Sequence, residues 1–156
     1  MNLTLRQARE GDAATLRQVL HASVHGLASR DYTPEQCAAW APADYDTTAW
    51  AQRLAGLTTW VAERNGMVAG FASLRDDGYV DFLYVAPAHA GCGVGSALMR
   101  AVLERAKEQG CPVLWSDVSE TARPCFSHHG FTVQARQQLV REGVALHNYR
   151  MRHALI

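Results

Sequence analysis

Three glycines alternate with other residues in one short segment of the chain, at Gly91, Gly93 and Gly95. A nearly continuous apolar run at 79–85 precedes them and predicts a strand that is covered on both faces. Apolar residues recur at helical spacing through 98–106 and predict an amphipathic helix after them. Glycines at such a junction let the backbone approach a ligand, and the helix begins there with unpaired N–H groups and partial positive charge. The segment therefore predicts a phosphate-binding loop.

Two other interpretations of the glycines are open. The loop could need glycine only because its backbone requires positive φ angles. It could also belong to a dinucleotide site, because a later strand ends in Asp117, where the ribose-binding acid of such a site would fall. Two features disfavour the dinucleotide site: Leu98 occupies the position of the third glycine of G-x-G-x-x-G, and residues 86–90 separate the strand from the loop.

The segments before the loop predict an antiparallel meander. Asn65 and Gly66 lie between strand-forming runs at 60–63 and 68–74, which is typical of a tight hairpin. The strand at 79–85 continues the same pattern after a second turn. A dinucleotide site instead follows a βαβ unit, so the meander also disfavours that interpretation.

The whole chain predicts a mixed α/β fold, with a mostly antiparallel central sheet of six to seven strands and about four helices. The start of the chain predicts a strand at 3–6 and then a helix with its N-cap at Asp12. The run at 113–117 follows a helical crossover, so we expect its strand to lie parallel to the one that ends at Val85. With 156 residues, of which 48% are hydrophobic, the chain fits a single domain at 1–156.

Charge and composition exclude several classes of partner. Lys plus Arg number 15 and Asp plus Glu number 15, so no global field attracts nucleic acid or an anionic membrane. No stretch approaches the roughly 20 apolar residues that span a bilayer. We therefore expect a cytoplasmic protein without a nucleic-acid or membrane partner.

The cysteine and histidine patterns disfavour a metal site. His21 and His25 are spaced i, i+4 on a predicted helix and His128 and His129 are adjacent, yet no third ligand follows at a metal-binding spacing. No Cys-x-x-Cys occurs, so we expect reduced thiols and no metal. The four cysteines are Cys37, Cys92, Cys111 and Cys125.

The strand, glycines and helix at 79–98 together resemble the cofactor motif of the GNAT family of acyl-CoA N-acyltransferases. Residues 117–126, with Gly130 and Phe131, resemble the second motif of that family. The resemblance extends over 3–152, nearly the whole chain. Additional similarity to the small bacterial YafP-like branch of the family comes from residues 32–36, 39–41 and 148–151.

The resemblance implies acetyl-CoA as cosubstrate and a V-shaped split in the sheet between the strands that end near Val85 and Asp117. The pantetheine arm would add to the sheet through backbone hydrogen bonds, and the pyrophosphate would lie on the glycine loop. The cofactor-binding residues that it implies are Leu83, Tyr84, Val85, Gly91, Cys92, Gly93, Val94, Gly95, Ser96, Ser119 and Phe126.

Four positions depart from the family pattern. Ala90 and Cys92 stand where polar or basic anchors for the pyrophosphate are common, so backbone N–H groups must supply more of the affinity. Ser119 matches an asparagine that often contacts pantetheine. Phe126 stands where a tyrosine often protonates the leaving thiolate. We therefore expect weaker cofactor binding and a different acid.

The chemistry of amine acetylation needs a base more than an acid. At pH 7 only about one alkyl ammonium in 2,500 is deprotonated, so forming the neutral amine costs roughly 4 to 5 kcal/mol. Departure of the thiol as thiolate costs only about 2 kcal/mol. We predict Asp117 as the base and Asp81 as the second choice. Asp117 could instead cap the following helix, and Asp81 could be a satisfied structural carboxylate. The candidate acids are Tyr149, His129 and Tyr84.

The leading hypothesis is transfer of acetyl from acetyl-CoA to a primary amine of a small molecule, peptide or protein, by direct attack in a ternary complex. Cys92 and Cys125 lack a visible His–Asp arrangement, so we expect no covalent intermediate. The alternative is a catalytically idle CoA-binding regulator or a toxin-system partner. We expect a monomer or a homodimer. Four aromatic residues could line an acceptor pocket or fill the core: Tyr32, Trp40, Tyr45 and Trp50.

Overall fold

Within residues 2–156, seven strands form two sheets, and the first sheet contains four antiparallel strands in chain order. The computed structural model describes residues 2–156, so Met1 of the predicted domain lies outside the described residues. Asn65 and Gly66 both have positive φ angles, 55° and 78°, as a type I′ hairpin requires. The predicted meander is therefore confirmed. The four strands are β1 (Leu3–Gln7), β2 (Thr58–Arg64), β3 (Met67–Leu74) and β4 (Val80–Val85).

The second sheet contains β5 (Val113–Val118), β6 (Thr132–Arg141) and β7 (Val144–Ala154) in the order β5-β7-β6. Where β4 and β5 begin, Tyr79 and Trp115 form an isolated parallel bridge. β4 and β5 share no ladder beyond this bridge in the described chain, and they diverge toward their carboxyl ends. The predicted parallel orientation and the V-shaped split are confirmed.

Within residues 2–156 there are five α-helices, one more than the sequence indicated. The irregular segment before β2 forms two short helices because each has its own cap. Thr33 and Gln36 form a capping box with Pro34 as the first helical residue, and the Asp46 carboxylate accepts a hydrogen bond from the N–H of Ala49. The helices are α1 (Ala13–Gly26), α2 (Pro34–Trp40), α3 (Thr47–Ala55), α4 (Val94–Glu108) and α5 (Arg123–His128).

Helices cover both faces of the first sheet. On one face, α4 buries Leu98 and Met99 completely against the sheet. On the other face, α1 and α3 contribute Leu16 and Trp50, which pack in one cluster with Phe71 of β3. This double cover explains why β3 and β4 read as nearly continuous apolar runs.

The prediction that Asp12 caps α1 is wrong for its side chain. Asp12 occupies the N-cap position, but its carboxylate makes no hydrogen bond to the helix. It instead pairs with the guanidinium of Arg6 at 2.8 Å and accepts a hydrogen bond from the N–H of Arg9 at 2.6 Å. A stronger charged partner on β1 holds the carboxylate away from the helix.

Candidate active site

The glycine loop joins β4 to α4. Gly91 and Gly93 have φ angles of 73° and 81°, in the left-handed region that favours glycine. Gly93 is the N-cap residue of α4, and its carbonyl accepts the first helical hydrogen bond, from the N–H of Ala97, at 3.0 Å. The N–H groups of the first helical turn, at 94–96, therefore have no partner within the helix and are available to an anion.

A groove of about 410 Å³ opens beside this loop. Its walls come from α1, the end of β4, the loop and the segment from Ser119 to α5. The groove is lined by nine of the eleven predicted cofactor residues: Leu83, Tyr84, Val85, Gly91, Gly93, Val94, Gly95, Ser96 and Ser119.

The structure does not place Cys92 and Phe126 in the lining of this groove. The Cys92 thiol lies 3.6 Å from the Ala90 carbonyl oxygen, and its side chain packs against the core cluster of α4. Phe126 is 3% exposed, stacks edge-on against Phe131 and reaches a second cavity instead.

Part of the backbone of β4 faces the split. The N–H of Ala86 donates to Ala69 of β3 at 2.8 Å. Because backbone groups alternate in direction along a strand, Tyr84 also faces β3, whereas the N–H and C=O of Leu83 and Val85 face β5. No strand pairs with that side of β4 beyond Val80 in the described residues. An extended ligand therefore has backbone partners at Leu83 and Val85.

The second cavity, of about 470 Å³, lies between α1, β4, β5 and the β6–β7 hairpin. We call it the acceptor cavity. Its lining includes Trp40, Leu83, Tyr84 and Ser119, which also line the groove beside the loop. Two ligands bound in the groove and in the acceptor cavity would therefore meet at the carboxyl end of β4.

Asp117 lies in the lining of the acceptor cavity but has three donors of its own. Its carboxylate accepts hydrogen bonds from Arg150 Nε at 2.7 Å, Gln137 Nε2 at 2.8 Å and the Tyr79 hydroxyl at 2.9 Å. Burial favours a higher pKa for Asp117, but these hydrogen bonds outweigh it and hold the pKa below its ordinary value. Ser119, not Asp117, accepts the hydrogen bond from the N–H of Ala122. Asp117 is thus an ion-paired carboxylate and a weak proton acceptor.

Asp81 also lines the acceptor cavity, and Arg53 of α3 neutralises it. Arg53 donates to both carboxylate oxygens, at 2.5 and 3.2 Å, and its guanidinium stacks over the Phe82 ring at 4.5 Å. The structural interpretation of Asp81 as a satisfied carboxylate therefore fits its contacts.

The three candidate acids lie in different places. Tyr149 donates its hydroxyl to Glu120 at 2.8 Å and is not part of the acceptor-cavity lining. His129 lies 3.2 Å from the Ser96 hydroxyl, outside both cavities, and burial lowers its pKa. Tyr84 lines both cavities, and burial raises its pKa. Of the three, Tyr84 is the one that lines both cavities.

Sequence reasoning missed Glu120 and His147. His147 lines the acceptor cavity, and its Nε2 lies 3.0 Å from a carboxylate oxygen of Glu120. Hydrogen bonds from Arg123, His147 and Tyr149 lower the pKa of Glu120 to about 2. These residues come from a loop and a distant strand, and no local pattern marks them as partners.

Arg17 of α1 was missed as well. It lines the acceptor cavity and is 7% exposed, and burial lowers its pKa. One guanidinium nitrogen donates to the Pro42 carbonyl at 2.8 Å, and the group lies 4.5 Å from the Tyr45 ring centre. Its Nη1 is buried and has no hydrogen-bond partner in the described chain, so the charge of Arg17 is only partly compensated.

The aromatic residues Tyr32, Trp40 and Trp50 line the acceptor cavity and also belong to the core cluster under α1. These residues therefore contribute both to the core and to the wall of the cavity. Tyr45 is not among the lining residues and packs on Arg17.

The remaining histidines form no metal cluster. The rings of His21 and His25 stack at 4.2 Å, and residues 2–156 contain no group of three or more potential ligands. Over the same residues, no helix combines the length and the apolar character needed to cross a bilayer.

Comparison with known proteins is consistent with this geometry. Residues 28–153 match the model of the acetyltransferase (GNAT) domain. The chain is 34% identical to the uncharacterised N-acetyltransferase YafP of Escherichia coli K12, over 97% of this chain and 96% of that protein. It is 32% identical to the L-methionine sulfoximine/L-methionine sulfone acetyltransferase of Salmonella typhimurium, over 88% and 85% of the two chains.

The chain also matches solved structures of acetyltransferases. A GCN5-related N-acetyltransferase from Rhodopseudomonas palustris is 34% identical with a TM-score of 0.94, over 99% of this chain and 97% of that chain. An acetyltransferase from Salmonella typhimurium, solved with its cofactor acetyl-CoA, is 29% identical with a TM-score of 0.71, over 100% and 95%. The predicted family and fold are confirmed: the chain belongs to the GNAT family of acetyltransferases and is an N-acetyltransferase that uses acetyl-CoA.

Proposed function

We propose that this single domain, residues 1–156, acetylates the primary amine of a small molecule that also carries a carboxylate. The amine attacks acetyl-CoA directly, in a ternary complex. The observation that carries the proposal is the junction of the groove and the acceptor cavity at Leu83, Tyr84 and Ser119. A thioester in the groove and an amine in the acceptor cavity can react there without a covalent enzyme intermediate.

In this proposal the cofactor lies along the groove. The pyrophosphate takes the free N–H groups at 94–96, and the pantetheine arm pairs with the backbone of Leu83 and Val85. The N–H of Val85 is the candidate donor to the oxyanion of the tetrahedral intermediate. Tyr84 is the candidate donor of a proton to the departing thiolate, because it stands at the junction.

The charges in the acceptor cavity favour an anionic group on the acceptor. Asp81 and Asp117 are neutralised by Arg53 and Arg150. Arg17 and Arg141 also line the cavity, and no carboxylate in the described residues pairs with either. The name of the Salmonella typhimurium relative supports the same class, since its named acceptors derive from L-methionine.

The matched pair of L-methionine and methioninol tests the carboxylate. Loss of a charge-assisted hydrogen bond of about 1.5 to 3 kcal/mol lowers kcat/KM by roughly 10- to 150-fold. We expect the parent enzyme to prefer L-methionine by such a factor and Arg17→Gln to lose most of the preference. Arg136→Gln, a cation on the exposed part of β6 outside the cavity lining, is the control and should keep it. Equal use of both acceptors by the parent enzyme would remove the carboxylate from the proposal.

Turnover separates this function from that of an idle CoA-binding regulator or toxin-system partner. Release of the CoA thiol across a panel of primary amines supports the enzyme. Binding of acetyl-CoA with no thiol release from any amine would support the regulator, which the substitutions at Ala90 and Phe126 still motivate.

A further inference from the structure

We propose that His147 accepts the proton from the ammonium group of the acceptor, and that the Glu120 carboxylate positions it. This inference rests on the proposed function and adds the base that the reaction needs. It replaces Asp117, whose three hydrogen bonds make it a poor proton acceptor.

The geometry of the pair comes first. His147 Nε2 lies 3.0 Å from Glu120 Oε1, and the His147 side chain is 17% exposed. His147 is one of the residues that line the acceptor cavity. A neutral imidazole that donates Nε2–H to Glu120 carries its lone pair on Nδ1, which has no partner in the described residues. The hydrogen-bond network thus selects the tautomer that can accept a proton at Nδ1.

Tyr32 holds both members of the pair in place. Its ring stacks on the His147 ring with centres 5.4 Å apart and planes 30° apart. Its hydroxyl donates to the His147 carbonyl at 2.8 Å and accepts a hydrogen bond from the N–H of Glu120 at 2.8 Å. Because Tyr32 is only 5% exposed, this double contact fixes the backbone of the loop after β5 against β7.

The other ionisable residues that line the acceptor cavity are arginines, aspartates and tyrosines. The two aspartates are ion-paired with arginines. Burial raises the pKa of each of the three lining tyrosines: Tyr32, Tyr79 and Tyr84. Among residues 2–156, His147 is the one histidine that lines the acceptor cavity. A histidine is the side chain whose ordinary pKa suits proton transfer at neutral pH.

The proton moves directly from the ammonium of the acceptor to His147. One N–H bond of the acceptor ammonium breaks, its electron pair stays on the nitrogen for attack, and an Nδ1–H bond forms on His147. The resulting imidazolium faces Glu120, which remains ionised and stabilises it. Four titratable or charged residues surround His147: Glu120, Arg123 (which is paired with Glu120), Tyr149 on β7, and Tyr32. The residue opposite His147 on β6 is the uncharged Gln138.

The test is the pH dependence of kcat/KM for the acceptor at saturating acetyl-CoA. In the parent enzyme we expect a rising limb from deprotonation of His147 and a second limb from the ammonium of the acceptor itself. His147→Gln should remove the first limb and lower kcat/KM by about 10²- to 10⁴-fold, while the second limb and the melting shift with acetyl-CoA stay. Glu120→Gln should keep the first limb but move it to lower pH, because the imidazolium loses its anionic neighbour.

His128→Gln is the matched control, since the exposed His128 of α5 lies outside the lining of both cavities. Its first limb should stay close to that of the parent. If His147→Gln does not fold, an NMR titration of His147 in the parent enzyme decides, because its midpoint must match the kinetic limb. Persistence of the limb in His147→Gln, or a mismatch of the two midpoints, overturns the inference. Absence of turnover in the parent enzyme at every pH would instead refute the proposed function.

Discussion

Substitution of Gly95 by alanine should weaken the binding of acetyl-CoA without lowering the stability of the free protein. It lies in the first turn of α4, outside the left-handed region, so alanine fits its backbone. A Cβ at Gly95 would lie 3.7 Å from Val85 Cγ2 and 3.8 Å from Cys125 Sγ, both ordinary contacts. Since glycine within a helix is less favourable than alanine by roughly 0.5 to 1 kcal/mol, Gly95→Ala should keep or slightly raise the free energy of unfolding.

The same methyl group narrows the cofactor groove, because Val85, Gly95 and Cys125 all line it. An overpacking penalty of about 2 kcal/mol against bound acetyl-CoA corresponds to a Kd raised about 30-fold. At acetyl-CoA equal to 100 times the parent Kd, the stabilisation by ligand falls from about 2.7 to about 0.9 kcal/mol.

Thermal melting with and without acetyl-CoA measures both effects. For a chain of this size 1 kcal/mol shifts Tm by about 2 to 4 °C, so the ligand shift should fall from roughly 5–11 °C to roughly 2–4 °C. Gly11→Ala is the control, because nothing lies within 4 Å of its added Cβ and Gly11 is not among the residues that line the groove. A full ligand shift in Gly95→Ala would refute the placement of the cofactor against the first turn of α4.

Three further perturbations have defined outcomes. The pKa of Glu120 is lowered to about 2 in the folded protein, so its contribution to stability is present above its ordinary value near 4.5 and is lost as pH falls toward 2; Glu120→Gln should flatten the fall of urea midpoints over that range. Phe71→Ala should lower the free energy of unfolding by about 3 to 5 kcal/mol in urea titrations, because Phe71 is fully buried; an unchanged midpoint would contradict its place in the core. Cys92→Ser should leave turnover largely intact, since the thiol is outside the groove lining; loss of activity with acetyl-CoA affinity preserved would count against it.

The elements with local signals could be predicted from the sequence. Asn65 and Gly66 marked the hairpin, and the positions of the glycines between an apolar run and a helix marked the loop. The divergence of β4 from β5 followed from the family resemblance rather than from any local pattern. Its physical basis is that the two strands share one bridge, at Tyr79 and Trp115, before they separate.

The contacts of the candidate site could not be predicted, because they join residues far apart in the chain. Asp117 was a reasonable candidate base at a strand end, but its partner Arg150 lies on β7, 33 positions later. The same strand brings His147 to Glu120 across 27 positions. Nothing in a single sequence states which carboxylate an arginine will neutralise and which will be left to orient an imidazole.

The relative cost of the two proton transfers explains why the site can lack the tyrosine of the family pattern. Freeing the amine from its ammonium form costs roughly 4 to 5 kcal/mol at pH 7, against about 2 kcal/mol for departure of the thiolate. Phe126 removes a possible proton donor to the thiolate, whereas Tyr32 holds Glu120 and His147, the proposed base for the ammonium. Because deprotonation of the ammonium is the larger cost, the rate at neutral pH should respond strongly to substitution of His147 and only weakly to Phe126→Tyr. A large gain from Phe126→Tyr would show instead that protonation of the thiolate limits turnover.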